Sequence, residues 1–264
     1  MLIIGEKING TLAKVAIAIA NRDAPFIRSL AGAQKEAGAH YLDLNAGSPP
    51  DREPDDLVWL VETVQSAVDL PLCLDSSNQM ALAAALQRVK QRPIINSINS
   101  EKAKLESILP LISKYGCSAM AMLIDEAGVP NEVISRQALA RNIIAHTRQA
   151  GIQDKELFVD PLVMSIATNT GSTLTTLETM RSIREEFPEV RFCAGLSNVS
   201  FGLPARRFVN RAFLVLALAA GLDAAIIDPL DKSLYTMLLA TELLLNRDKH
   251  CRNYTRSYRQ GKIG

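Results

Sequence analysis

A chain of 264 residues, 48% hydrophobic and 22% charged, can bury one large core and has the composition of an ordinary soluble domain. Twenty-nine Lys and Arg against 28 Asp and Glu leave a net charge of +1, so no overall field recruits a nucleic acid or an anionic membrane. The start, MLIIGEKING, lacks the regions of a secretory leader, and the longest apolar run, Ala212 to Leu222, is about half of what a bilayer demands; a cytoplasmic protein is expected.

Apolar runs of strand length alternate with longer amphipathic stretches along the chain. In order, the expected pairs are Leu2–Gly5 with Ala24–Ala37, His40–Asn45 with Asp55–Val68, Leu72–Asp75 with Gln79–Val89, and Ile94–Ile98 with Lys102–Tyr115. They continue as Ala119–Ile124 with Arg136–Gln149, Leu157–Asp160 with Leu174–Phe187, Arg191–Leu196 with Arg206–Ala220, and Asp223–Asp228 with Lys232–Leu245. Alternating β and α elements imply parallel strands joined by crossover helices. Their even spacing, with no GxGxxG turn after the first strand, favours a closed (β/α)8 TIM barrel over an open doubly wound sheet. The barrel is expected to occupy residues 1–246 as one domain, followed by a polar, basic tail, 247–264, either docked or frayed.

Strand after strand ends in Asp, Asn, Ser or Glu: Glu6 and Asn9, Asp43 and Asn45, Asp75 and Ser76, Asn96 and Asn99, Asp125, Asp160, Ser197 and Asn198, Asp228. These ends meet at one mouth, where barrel enzymes build their sites. Asp, Asn and Ser also cap helices. Asp55, Ser77 and Ser172 read as caps, whereas Asp75, Asn96, Asp160 and Asn198 sit too close to their strands. A carboxylate accepts two parallel N–H bonds and an amide offers a donor beside an acceptor, so the set suits the edge of a pterin-type or purine-type ring.

Other chemistries fit less well. The only Trp, Trp59, falls on a helix, so the aromatic platforms of a glycosidase are missing. A divalent cation on Asp43, Asp75 and Asp160 is conceivable, but no strand ends in His, and no metal is expected. His40, His146 and His250 are poorly placed to act as bases. Cys73, Cys117, Cys193 and Cys251 form no CxxC pair, which points away from disulfides and structural zinc.

The runs IGEKING (Ile4 to Gly10), LDLNAG (Leu42 to Gly47), LCLDSSN (Leu72 to Asn78), INSIN (Ile95 to Asn99), DPL (Asp160 to Leu162) and GLSNVSFGLPARRFVNRAF (Gly195 to Phe213) resemble the methyltetrahydrofolate:corrinoid protein methyltransferases, within the pterin-binding superfamily. The resemblance implies that Asp75, Asn96 and Asp160 hold the pterin edge. It implies that Asn198 is the catalytic residue, hydrogen-bonding near the methyl-bearing N5. Glu6, Asn9, Asp43 and Asn45 match family motifs either as supports behind those residues or as barrel packing. Ser197 and Ser200 would shape the Asn198 loop, and Arg206, Arg207 and Asn210 would either meet a folate-tail carboxylate or form a solvated helix start. The expected substrate is tetrahydrofolate or 5-methyltetrahydrofolate. No cobalamin-binding DxHxxG segment is present, so the corrinoid would arrive on a partner protein, and the apolar stretch Phe213–Gly221 with the unit after it would support a homodimer. A dihydropteroate synthase ranks lower, because the eighth strand ends Ile226-Ile227-Asp228-Pro229 without a basic diphosphate grip; a non-catalytic pterin-binding barrel would have no use for Asn198.

Overall fold

The computed structural model describes residues 1–264. Eight parallel strands close into a barrel in chain order: β1 (Leu2–Asn9), β2 (Tyr41–Asn45), β3 (Leu72–Asp75), β4 (Ile94–Ile98), β5 (Ser118–Met122), β6 (Leu157–Asp160), β7 (Arg191–Gly195) and β8 (Ala224–Ile227), with β8 pairing back onto β1. Around them run α1 (Ala13–Ala20), α2 (Ala24–Glu36), α3 (Glu53–Gln65), α4 (Gln79–Leu86), α5 (Lys102–Tyr115), α6 (Val133–Gln149), α7 (Ser172–Glu186), α8 (Arg206–Ala219), α9 (Lys232–Leu244) and α10 (Arg252–Arg259).

Alternation along each strand sorts side chains between two cores. Outward-facing residues such as Leu42, Leu74, Ile95 and Phe192 join the helices in a cluster of 59 buried residues. Ile4, Cys73, Ile94, Met120, Phe158, Cys193 and Ala224 form a separate cluster of seven inside the barrel, one from every strand except β2. Asp43, paired in register with Cys73, takes the missing place and is only 3% exposed.

Two bulges shape the site. The register of β1 against β2 shifts between Gly5 and Ile8, and Ile8 belongs to the outer core, so Glu6 and Lys7 both lie on the stretch where the alternation slips. The freed Lys7 amide donates to Gln34 Oε1 at 3.0 Å; Gln34 reaches it only because Gly5 has no Cβ, which would overlap that oxygen. A second bulge lies between Asn96 and Ile98 in β4. Bulges beside barrel rims commonly re-aim a side chain towards a site.

Four expectations need correcting. The β1 strand runs to Asn9, enclosing Glu6 and Asn9, and α1 was not foreseen: Val15–Ala20 reads VAIAIA, an alternation equally fit for a strand. Asp55 lies inside the first turn of α3. The cap of α4 is Asn78, accepting from Met80 N at 3.0 Å, rather than Ser77. Ser172 is the first residue of α7 after Gly171, and its hydroxyl donates to Met164 O instead of capping. Runs such as Ser76-Ser77-Asn78 offer several capping side chains in succession, and preference alone does not choose among them. In the tail, Asp248 accepts from the amides of Asn253 and Tyr254 at 3.0 and 2.9 Å and α10 packs against α9, burying Ser257 and Ile263.

Candidate active site at the barrel mouth

Two residues beyond each member of the inner layer, alternation brings the next inward position to the rim. From β1 to β8 those positions are Glu6, Asn45, Asp75, Asn96, Met122, Asp160, Gly195 and Ile226. The apolar layer is therefore the floor of the mouth, and the ring above it is polar on five of eight strands. Asn45 Nδ2 donates to Asp75 Oδ2 at 2.9 Å, leaving Oδ1 free of side-chain partners. Asn96 Nδ2 faces Asp43 Oδ1 at 3.5 Å. Asp160 Oδ1 accepts from Leu162 N at 2.8 Å, in a turn that holds Leu162 at φ 61°.

Burial dominates the electrostatics. Desolvation pushes Asp43 up to about 8, with the Asp75 charge adding to it and hydrogen bonds from Cys73 and Asn96 opposing it. Desolvation also raises Asp75 and takes Asp160 to about 6, against the Leu162 amide and the Arg136 charge. Glu6 reaches about 7 through burial and its neighbour Asp228. Carboxyl groups raised by desolvation ionise more readily when N–H donors are brought to them. Buried among these acids, the Cys73 and Cys193 thiols are pushed well above their ordinary range and are inert packing groups.

After β7 the chain turns through a short 3-10 segment, Leu196–Ser200, that carries Asn198 on the lip. The Asn198 side chain is exposed and makes no hydrogen bond within the protein. Its loop is fixed from behind: Arg206 donates to Ser197 O at 2.6 Å and to Ser200 Oγ at 3.0 Å, and Ser200 Oγ meets Asn210 Oδ1 at 2.6 Å. The amide is thus free while the loop that carries it is held in position.

The pterin binding enzyme family model matches residues 6–228. The chain belongs to the pterin binding enzymes. Along its full length it is 38% identical to the methylcorrinoid:tetrahydrofolate methyltransferase of Eubacterium limosum, covering 98% of that protein. It is 30% identical over 240 residues to the methionine synthase of Mycobacterium tuberculosis, of which it spans 20%. Among solved structures it resembles Yersinia pestis DHPS with a pterine-sulfa conjugate, with a TM-score of 0.68, 18% identity and 94% of each chain covered. Xanthomonas albilineans dihydropteroate synthase with 7,8-dihydropteroate gives 0.65 and 18%, with 93% of this chain and 92% of that one covered. These structural likenesses speak for the barrel alone.

In this pterin binding enzyme the expected residues divide by position. Glu6, Asn45, Asp75, Asn96 and Asp160 share the rim, with Asp43 beneath them in the floor and Asn198 on the lip. Asn9 stands apart, its Oδ1 accepting from the Thr11 amide and hydroxyl at 2.9 and 2.7 Å, and Asp125 closes a local turn through Ala127 N. Two cations escaped the sequence reading. Lys7 pairs with Asp228 at 2.9 Å, brought there by the bulge, and Arg136, 2% exposed, stands behind Asp160. His40 accepts from Ile3 N at 3.1 Å where β1 begins, at the opposite end of the barrel from the mouth. No group of three or more His, Cys, Asp or Glu side chains forms a metal ligand set.

The raised carboxyls fix the sign of a pH dependence. Between about pH 4 and about pH 8 the folded protein retains a proton on Asp43 that the unfolded chain has released, so unfolding free energy falls as pH rises through that window. Urea unfolding at pH 5 and pH 8 should show the native state weaker at pH 8, and Asp43→Asn should flatten the slope; a wild-type protein that gained stability towards pH 8 would contradict the assignment.

Proposed function

We propose that the protein is a methyltransferase that moves a methyl group between N5 of tetrahydrofolate and the cobalt of a corrinoid held by a separate protein. The observation that carries the reading is the ring of Asn45, Asp75, Asn96 and Asp160 over an apolar floor, with the unpaired Asn198 amide beside it. The full-length likeness to a methylcorrinoid:tetrahydrofolate methyltransferase supports it.

Asp75 and Asp160 accept N–H bonds from the aminopyrimidinone edge, Asn96 completes that edge, and Asn45 holds Asp75 in line. The floor residues Met120 and Phe158 seat the ring at a fixed height. Asn198 then meets N5, whose charge changes as the N–C bond breaks or forms. A hydrogen bond that strengthens with that change lowers the barrier selectively, and the braced loop supplies it without reorganisation.

The acceptor side is open. Leu12, Phe201 and Leu230 on strand-to-helix connections and Met80 and Ile134 in the first turns of α4 and α6 are exposed apolar residues around the mouth, a rim suited to a docking protein. A homodimer fits a second surface: Ala212, Leu216 and Ala219 of α8 and Met237 and Leu244 of α9 are exposed, and no charged residue lies between Arg211 and Asp223. A cytoplasmic setting accords with four free cysteines; no helix is long and apolar enough to cross a membrane. For a dihydropteroate synthase the mouth lacks a free diphosphate grip, since Lys7 is held by Asp228 and Arg206 by Ser197 and Ser200.

Mixing the protein with 5-methyltetrahydrofolate and free cob(I)alamin should produce the methylcobalamin spectrum at a protein-dependent rate; folate binding without that spectral change would sink the catalytic reading. In sedimentation the wild type should run as a dimer and Leu216→Glu as a folded monomer, whereas a monomeric wild type would remove the α8–α9 interface.

A further inference from the structure

Beside the mouth, between the loop that leads into α6 and the loop from β6 to α7, lies a cavity of about 600 Å³. Its lining is polar and holds one charge: Asn131, Thr168, Thr170, Ser172 and Thr175 surround Arg136. The Arg136 side chain is 2% exposed. Its Nε donates to Pro130 O at 2.9 Å, and one Nη donates to Pro161 O and Leu162 O at 2.7 and 3.1 Å. The other Nη has no protein partner, and no carboxylate pairs with the guanidinium. Only carbonyls hydrogen-bond this buried guanidinium; burial lowers its proton affinity, and the charge of nearby Asp160 partly offsets that. One wall is the first turn of α7, which has no acidic residue and no side-chain cap, so its unpaired amides and dipole add positive potential.

We propose that this cavity is a carboxylate subsite that holds the glutamyl tail of the folate, an assignment that rests on the folate reading above. The free Nη of Arg136 donates to a carboxylate, and the Thr170 hydroxyl, which has no partner within the protein while those of Thr168 and Thr175 already donate to Ser165 O and Gly171 O, donates to a remaining oxygen. The position follows from the loop that builds the cavity. Ile166 N donates to Val199 O at 3.0 Å and Ser165 Oγ to Phe201 O at 2.6 Å, so the β6–α7 loop is stitched directly to the segment carrying Asn198. The substituent on the pterin ring leaves from the carbon next to N5. With N5 at Asn198, the p-aminobenzoyl spacer crosses that stitched seam, and its carboxylates arrive over Met164, another residue of the cavity wall. Met164 lies four residues past Asp160, at most about 14 Å along the chain. The subsite also displaces Arg206 as the tail's partner, since Arg206 is already committed to Ser197 and Ser200.

The test compares binding of 5-methyltetrahydropteroate, which has no glutamate, with the mono- and triglutamate forms of 5-methyltetrahydrofolate. Wild type should prefer the triglutamate to the tail-less ligand by about tenfold, the scale of one charge-assisted contact. Arg136 also ties down the β6–α7 loop, so the decisive variant is the exposed Thr170→Asp, which places a negative charge in the cavity and leaves the loop bonded. It should reduce the preference to below about twofold while tail-less binding stays as in wild type. Equal wild-type binding of tail-less and triglutamate ligands overturns the subsite, as does a Thr170→Asp protein that weakens both alike. Inorganic phosphate that occupies the cavity without eroding the tail preference would make it a free-anion site and overturn the assignment. Failure of all three pterins to bind would instead strike the folate reading itself.

Discussion

The site depends on one geometric constraint, the two-residue alternation of a closed parallel barrel. Because the strands are in register and tilt together, the residue two places beyond each floor position arrives at the mouth. Cys73 fixes Asp75, Ile94 fixes Asn96, and Phe158 fixes Asp160. The polar ring is thus specified by the same pattern that packs the barrel, and a one-residue slip in any strand would exchange a ring member for an outer-core residue. The chain uses that slip in β1, where the bulge at Glu6 and Lys7 lets Lys7 meet Asp228 while Ile8 returns to the helix layer, and again in β4 just past Asn96.

The same pattern carries an energetic cost in β2. The floor position there is Asp43, a carboxylic acid at the depth of Cys73, and desolvation keeps it protonated near neutrality. A neutral acid can sit in an apolar layer and still hydrogen-bond to Asn96. Polarity thereby extends from the lip to the floor of the mouth. Stability is spent at this one level to prepare the site, while the 59-residue outer core carries the fold.

Much of this was legible in the sequence. The eight strands stood out because parallel strands covered on both faces are short apolar runs, and their polar last residues marked the mouth. Asp75 and Asp160 were readable because they end such runs, and Asn96 because it interrupts one. Other features were not. Helix α1 hides in an alternating VAIAIA stretch, and Lys7 is turned by a bulge that depends on Gln34 passing Gly5, a tertiary contact without a local signature. Arg136 looked like the first residue of an ordinary amphipathic helix; only the folded loops show that its neighbours are carbonyls.

The central claim is that the ring binds the pterin while Asn198 acts on N5. It is tested most directly by measuring, for wild type and Asn198→Ala, both the dissociation constant of 5-methyltetrahydrofolate and the single-turnover rate of methyl transfer to cob(I)alamin. The account predicts a rate lower by about 10²- to 10³-fold, as for removal of one preorganised donor, with affinity changed by less than about threefold. An unchanged rate, or a loss of affinity large enough to explain the whole effect, would contradict it.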